Sequence, residues 1–326
     1  MRVGRRATRH AQSAGRDTWN LESGVIPLMK NDKASAATVK SNGIDIAYDT
    51  FGARGSVPLV LIMGLAAQMI AWDEAFCAQL ADRGFWVVRF DNRDIGLSTK
   101  MQQFPVPDLA SLIKQQLLGE PVAAPYTLRD MAADTVGLMD ALGIESANVV
   151  GASMGGAIAQ EMAIHYPSRV RTLTSIMSST GEPGLPPPTA EAMAILLAPT
   201  PTDRETYFAR YAQTWRVLRG PGFPLDEARD AERAAESFDR GLNPPGVARQ
   251  LAAIAASGSR KDALRAVSVP ALVIHGDVDP LVPLAGGVAT ANAIPGAKLV
   301  VIKGMGHALP IPMWPQIIEA IVSHAK

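Results

Sequence analysis

Hydrophobic positions along this chain fall in short dense runs, separated by longer stretches where apolar residues recur every three or four. Leu59-Val60-Leu61-Ile62 is one such run, and residues 86–90, 147–150, 170–177, 271–274 and 299–302 also read as strands. The continuous run at 59–62 is as expected of a strand buried on both faces. Helical periodicity appears over residues 72–83, over 128–142 up to Gly143, and over 314–324, where Ile317, Ile318, Ile321 and Val322 share one face. Near the start, 39–41 and 44–49 alternate as two short strands around Asn42-Gly43, a type I′ hairpin signal. Alternating strands and helices predict an α/β architecture: a mostly parallel sheet, right-handed crossovers and helices on both faces. Ligands are then expected beyond the carboxyl ends of the strands.

Two regions break the alternation. Residues 100–126 read as a loop with one amphipathic piece at 109–118. Residues 181–262 are helical but punctuated by Pro183, Pro186, Pro187, Pro188, Pro199, Pro201, Pro221 and Pro224, with helical runs at 189–197, 204–218 and 225–238. The expected organisation is a core of 37–180 and 263–326, with 181–262 inserted as a helical cap. Residues 1–36 carry Arg2, Arg5, Arg6, Arg9 and Arg16 among small and polar residues, with no apolar run after the basic start. They are expected to be a disordered leader rather than a secretory signal.

Composition narrows the function classes. Lysine plus arginine number 31, and aspartate plus glutamate number 31, so the formal charge is zero. No basic field marks a nucleic-acid partner. The longest apolar stretch, residues 57–72, is interrupted by Pro58, Gly64 and Gln68 and is too short to span a bilayer. A cytoplasmic protein is the expectation, and composition leaves a homodimer open. The one cysteine, Cys77, excludes an intramolecular disulfide and reads as a core residue of its helix. No metal-ligand spacing and no phosphate-binding glycine motif occurs.

The chemistry is concentrated in Gly151-Ala152-Ser153-Met154-Gly155-Gly156. An apolar run, a G-x-S-x-G turn and a helix-forming stretch follow one another there, the pattern of a nucleophile elbow. Such a turn lifts Ser153 above the sheet edge and aims a helix N-terminus at whatever it attacks. A serine hydroxyl needs a base, and the base needs an orienting acid. Of five histidines, His307 in Gly304-Met305-Gly306-His307 follows a strand and has small neighbours. The loop after the preceding strand, His275-Gly276-Asp277-Val278-Asp279-Pro280, offers two acids. Asp279, further out on the loop and stiffened by Pro280 and Pro283, is preferred over Asp277, which is expected to bond local amides. The order Ser153, Asp279, His307 suits this hydrolase architecture. Met63-Gly64-Leu65-Ala66 follows the 59–62 strand, so the Leu65 amide is expected to join the Met154 amide as an oxyanion hole.

From residue 40 to 325 the chain resembles the α/β-hydrolase superfamily. Leu61-Ile62-Met63-Gly64, Arg89-Phe90-Asp91-Asn92-Arg93-Asp94-Ile95-Gly96-Leu97-Ser98 and Gly304-Met305-Gly306-His307-Ala308-Leu309-Pro310 are similar to the bacterial esterase group that includes aclacinomycin methylesterase. The resemblance implies a Ser-Asp-His triad, no cofactor and a helical cap over the site. It also implies that the 91–98 loop braces the sheet edge. Met63, Gly64, Met305 and Trp215 are expected to line an apolar substrate pocket, although Tyr207, Tyr211 and Trp215 at helical spacing suit a packing stripe better than a substrate box. The expected function is serine carboxylic-ester hydrolysis of small to medium apolar esters through an acyl-enzyme. A lactonase, a cofactor-free haloperoxidase-like hydrolase, an acyltransferase and a non-catalytic small-molecule receptor on the same scaffold are the alternatives.

Overall fold

The computed structural model describes residues 36–325. The expected leader, 1–36, therefore lies outside the described residues except for its last one. Eight strands form one sheet: β1 (Ala37–Ser41), β2 (Ile44–Phe51), β3 (Val57–Ile62), β4 (Phe85–Phe90), β5 (Ala147–Ala152), β6 (Val170–Ile176), β7 (Ala271–Gly276) and β8 (Lys298–Ile302). Their spatial order is β1-β2-β4-β3-β5-β6-β7-β8. β2 runs antiparallel to β1 and β4, and every pair from β4 through β8 is parallel. The hairpin between β1 and β2 turns where expected. Asn42 and Gly43 both have positive φ, 47° and 81°, as a primed turn requires.

Eleven helices accompany the strands among the described residues: α1 (Glu74–Asp82), α2 (Leu109–Leu118), α3 (Leu128–Leu142), α4 (Met154–His165), α5 (Ala190–Leu197), α6 (Arg204–Leu218), α7 (Glu227–Asp239), α8 (Pro244–Ser257), α9 (Lys261–Leu264), α10 (Leu284–Ala293) and α11 (Trp314–Ala325). α3 and α4 cover one face of the sheet, and α1 and α11 cover the other. The central strands feed both cores, which explains their unbroken apolar runs. Val60 and Ile62 point to one core, Leu59 and Leu61 to the other, and none of the four is exposed.

Local signals decide the helix ends. Thr127 caps α3 through a reciprocal capping box with Asp130, and Gly143 ends the helix in the left-handed conformation. The helix expected over 72–83 starts later, at Glu74, because the Asp73 side chain accepts the Ala75 N–H and caps it there. Two helices lack a clear sequence signal. α10 has Gly286 and Gly287 in its first turn, and α8 opens on Pro244-Pro245, which reads as a breaker but is tolerated in a first turn. α5, α6, α7 and α8 lie between β6 and β7, in the stretch the prolines mark.

Candidate active site

The turn from β5 into α4 carries Ser153 in a strained backbone conformation, with φ 56° and ψ −122°. A non-glycine residue rarely adopts such angles. The strain sits on the serine itself and not on its glycines. Those are required for clearance: a Cβ on Gly151 would stand 2.0 Å from the Gly155 carbonyl oxygen, and one on Gly155 would stand 2.1 Å from the Ile62 carbonyl oxygen. The Ser153 N–H donates to the Ile176 carbonyl at 2.9 Å, which ties the turn to β6.

The structure brings Ser153, His307 and Asp279 together. His307 Nδ1 lies 2.8 Å from Asp279 Oδ2, and His307 Nε2 lies 2.9 Å from Ser153 Oγ. A carboxylate only accepts, so Nδ1 carries the proton, and Nε2 accepts from the Ser153 hydroxyl. Asp279 Oδ1 is occupied separately by the N–H groups of Leu281 at 2.9 Å and Val282 at 2.8 Å. Those two amides orient the carboxylate and leave Oδ2 for the imidazole. Asp277 is exposed and serves the neighbouring loop, accepting the Gly304 N–H at 2.6 Å.

A second histidine lies beneath the acid. His275 is fully buried, its Nε2–H donates to the Val282 carbonyl at 2.7 Å, and Nε2 is 3.7 Å from Asp279 Oδ2. Nδ1 has no partner, so the ring is held neutral; burial pushes its pKa below the usual histidine value, against the pull of the Val282 carbonyl and Asp279.

The loop after β3 runs beside the serine. A Cβ on Gly64 would stand 3.0 Å from Ser153 Cβ and 3.5 Å from Oγ. The loop that carries the Leu65 N–H therefore passes directly beside Ser153. Met154 opens α4, where an N–H has no intrahelical partner. Among the described residues no loop or cap hydrogen bond takes either amide.

A cavity of about 910 Å³ opens over Ser153 and His307. Met63, Gly64, Leu65, Met154 and Trp215 line it, whereas Met305 does not. Met305 is fully buried in the core beneath α11, and its carbonyl presses against Gly276, where a Cβ would come within 1.8 Å. Its place in the pocket is thereby corrected: the loop must lie flat on β7 to deliver His307, and that turns the Met305 side chain inward. Tyr207, Tyr211 and Trp215 pack on one another with successive ring centroids 6.0 Å apart, and the same stripe faces the cavity. Burial raises the Tyr211 hydroxyl to about 12, so it stays protonated at neutral pH.

Charged groups occupy another part of the wall. Asp73 accepts from Arg229 Nε at 2.8 Å and Arg233 at 2.6 Å. Burial would raise its pKa, but the two guanidinium groups outweigh burial and hold it below the usual carboxylate value. Arg219 grips Asp230 at 2.7 and 2.9 Å.

Sequence periodicity assigned no part in the site to the end of α6. The Leu218 carbonyl accepts the His307 N–H at 2.6 Å, and the Arg219 carbonyl accepts the Gly306 N–H at 3.1 Å. The only trace in the sequence is Gly220-Pro221-Gly222 after the helix, which permits backbone to lie on backbone: a Cβ on Gly222 would stand 2.0 Å from the Gly304 carbonyl oxygen. The 91–98 loop is a buried ionic brace. Asp94 pairs with Arg249 at 2.6 Å and Arg93 with Asp134 at 2.6 Å, and Asp91 accepts the Met69 N–H at 2.7 Å.

Comparison with known proteins gives a consistent result. The family model of the alpha/beta hydrolase fold matches residues 57–312. The chain is 30% identical to the rhodomycin D methylesterase of Streptomyces peucetius, over 88% of this chain and 97% of that protein. It is 31% identical to the rhodomycin D methylesterase of a Streptomyces species, strain C5, with the same coverage of 88% and 97%. Among solved structures, a hydrolase from Pseudomonas aeruginosa PA01 superimposes with a TM-score of 0.67 at 24% identity, covering 90% of this chain and 99% of that one. Among the described residues no helix is long and apolar enough to cross a membrane.

Proposed function

The chain belongs to the α/β-hydrolase family, and from that premise we propose that it is a serine carboxylic-ester hydrolase working through an acyl-enzyme. The observation that carries this reading is the hydrogen-bond chain from Ser153 Oγ through His307 to Asp279 at the head of α4.

Ser153 Oγ attacks the ester carbonyl carbon while His307 Nε2 takes the hydroxyl proton. The carbonyl oxygen becomes an oxyanion and accepts from the Leu65 and Met154 N–H groups, which face a growing charge that water would otherwise have to solvate. Collapse expels the alkoxide, which His307 protonates as it leaves. A water then gives its proton to His307 and attacks the acyl carbon, and the returning proton frees Ser153. Asp279 keeps His307 in the tautomer with a bare Nε2 and offsets the charge the ring gains.

The cavity is larger than a small acyl group needs. Together with the likeness to methylesterases, its volume and aromatic stripe support esters in which a bulky, flat acid carries a small alcohol such as methanol. The domain reading that goes with this proposal makes α5, α6, α7 and α8 a cap over the site.

The test is labelling by a fluorophosphonate, read by intact mass, beside turnover of p-nitrophenyl acetate to decanoate and of methyl esters of polycyclic aromatic acids. One label per chain is expected on the wild type and none on Ser153→Ala, with turnover lost and thermal stability unchanged. Full ester turnover by Ser153→Ala would remove the serine from the mechanism. Folded wild type that neither labels nor turns over would favour a binding role.

A further inference from the structure

The segment that brings the Leu65 amide to the serine is an unfavourable one. Gly64 through Ala67 form a turn, with the Ala67 N–H donating to the Gly64 carbonyl at 3.4 Å. Ala66, in the third position of that turn, has φ 61°. Turns of this kind normally place glycine or asparagine there. An alanine in the left-handed region is strained by roughly 1–2 kcal/mol and persists only where its surroundings over-determine it.

The restraint comes from far along the chain. Gln250, fully buried on α8, accepts the Ala66 N–H on Oε1 at 3.1 Å. Its Nε2 donates to the Arg93 carbonyl at 3.0 Å. Both ends of the amide are engaged, so the group cannot rotate without losing a partner. The helix beneath it is pinned as well: the adjacent Arg249 holds Asp94 through two hydrogen bonds of 2.8 and 2.6 Å. Gln250 thus joins the loop after β3 to the ionic brace that follows β4.

We infer that Gln250 is a positioning residue for the oxyanion hole: it holds Ala66 in the left-handed conformation and so keeps the preceding Leu65 N–H beside Ser153. Without that acceptor the Ala66 peptide relaxes to negative φ, the 64–67 turn opens, and the Leu65 amide drifts from where the oxyanion forms. The inference rests on the serine-esterase reading, since it takes the Leu65 N–H as an oxyanion donor.

Gln250→Met keeps the length and apolar bulk of the side chain but removes both hydrogen bonds. Gln250→Glu keeps an acceptor for Ala66 and, once protonated in its buried site, a donor for Arg93. Active sites are counted by fluorophosphonate stoichiometry, so that every rate refers to folded, competent protein. For Gln250→Met, kcat is expected to fall about tenfold at unchanged KM, less than the 10²–10³ that deleting an oxyanion donor costs. Affinity for a trifluoromethyl ketone, whose adduct places an oxyanion in the hole, is expected to weaken by the same factor, and Gln250→Glu to recover most of both. A kcat within twofold of wild type, or a loss confined to KM or to the folded fraction, would overturn the inference. If Gln250→Met does not fold, Gln250→Asn, one methylene too short to reach Ala66, is read by the same measurements. Absence of wild-type labelling at Ser153 would instead remove the premise, an outcome visible before any variant is made.

Discussion

At the scale of single residues, the acid of the site is defined by which of its oxygens is free. Asp279 Oδ1 is taken by the Leu281 and Val282 amides, and only Oδ2 faces His307. In Asp279→Asn the single remaining carbonyl oxygen stays with those amides, and an NH₂ group then confronts His307. The ring must present a bare Nδ1 to it, which protonates Nε2 and ends its service as a base. The expected cost is about 10³–10⁴ in kcat. Asp277→Asn keeps an oxygen for the Gly304 N–H and is expected to change kcat less than about threefold, since exposed substitutions of this kind rarely matter. Steady-state kinetics of the two variants side by side decide the matter, and the reverse order would move the acid to Asp277. That Asp279 and not Asp277 would reach His307 was legible in the sequence from their distance along the loop. The burial of His275 against Asp279 was not, because nothing local separates it from a strand-end histidine facing solvent.

At the scale of elements, α6 and the His307 loop meet backbone to backbone. Gly306 permits this: a Cβ there would stand 2.4 Å from the Leu218 carbonyl oxygen and 2.5 Å from that of Arg219. Gly306→Ala must therefore push the end of α6 and the loop apart and lengthen the two hydrogen bonds between them. A displacement approaching 1 Å at a catalytic base costs up to about 10²-fold in rate. The expected result is a loss of kcat of about 10–100-fold, with the variant still folded by circular dichroism and still cooperative on heating. Unchanged kcat would mean that the loop holds His307 without help from α6. Helix boundaries follow the same division. α3 was readable from its apolar periodicity and terminal glycine, whereas α10 hid behind Gly286 and Gly287 in its first turn, where a Cβ on Gly287 would stand 2.4 Å from His275 Nδ1.

At the scale of the whole molecule, burial of neutral histidines makes the fold sensitive to acid. His275 is fully buried, and burial also lowers His324, although the Leu173 and Pro270 carbonyls oppose the shift. In the unfolded chain each titrates near 6.5. In the folded protein each titrates lower, so unfolding takes up protons below that value. Stability is then expected to be constant with respect to these groups above pH 6.5. Below it stability falls, with a slope of at most about 1.4 kcal/mol per pH unit for each group, until the folded pKa is reached. Asp73 and Asp94, whose arginine partners outweigh burial and hold them low, add loss only in the more acidic range beneath their ordinary value of 3.8. Thermal unfolding followed against pH checks this. His275→Asn is expected to flatten the limb just below pH 6.5, and an unchanged limb would show that His275 is protonated in the fold.

The sequence alone was enough for the architecture and for the positions of the three residues the structure brings together. The run at 59–62 became a strand buried on two faces, whereas the equally apolar 299–302 became the exposed edge strand β8; the alternation of strands with helices still pointed to a parallel sheet whose carboxyl edge gathers the loops. Ser153, Asp279 and His307 each lie in a loop after a strand, so local pattern was enough to propose them. Tertiary structure alone decided what holds the loops in place. Gln250 reaches Ala66 across 184 residues, and α6 meets Gly306 and His307 through carbonyls every residue possesses. Neither contact leaves a periodicity or a residue-type signature, because a single long-range hydrogen bond constrains one position and no pattern around it. Met305 was misplaced for the same reason: which way a loop methionine turns depends on the strand beneath it, and the chain's own order does not record that.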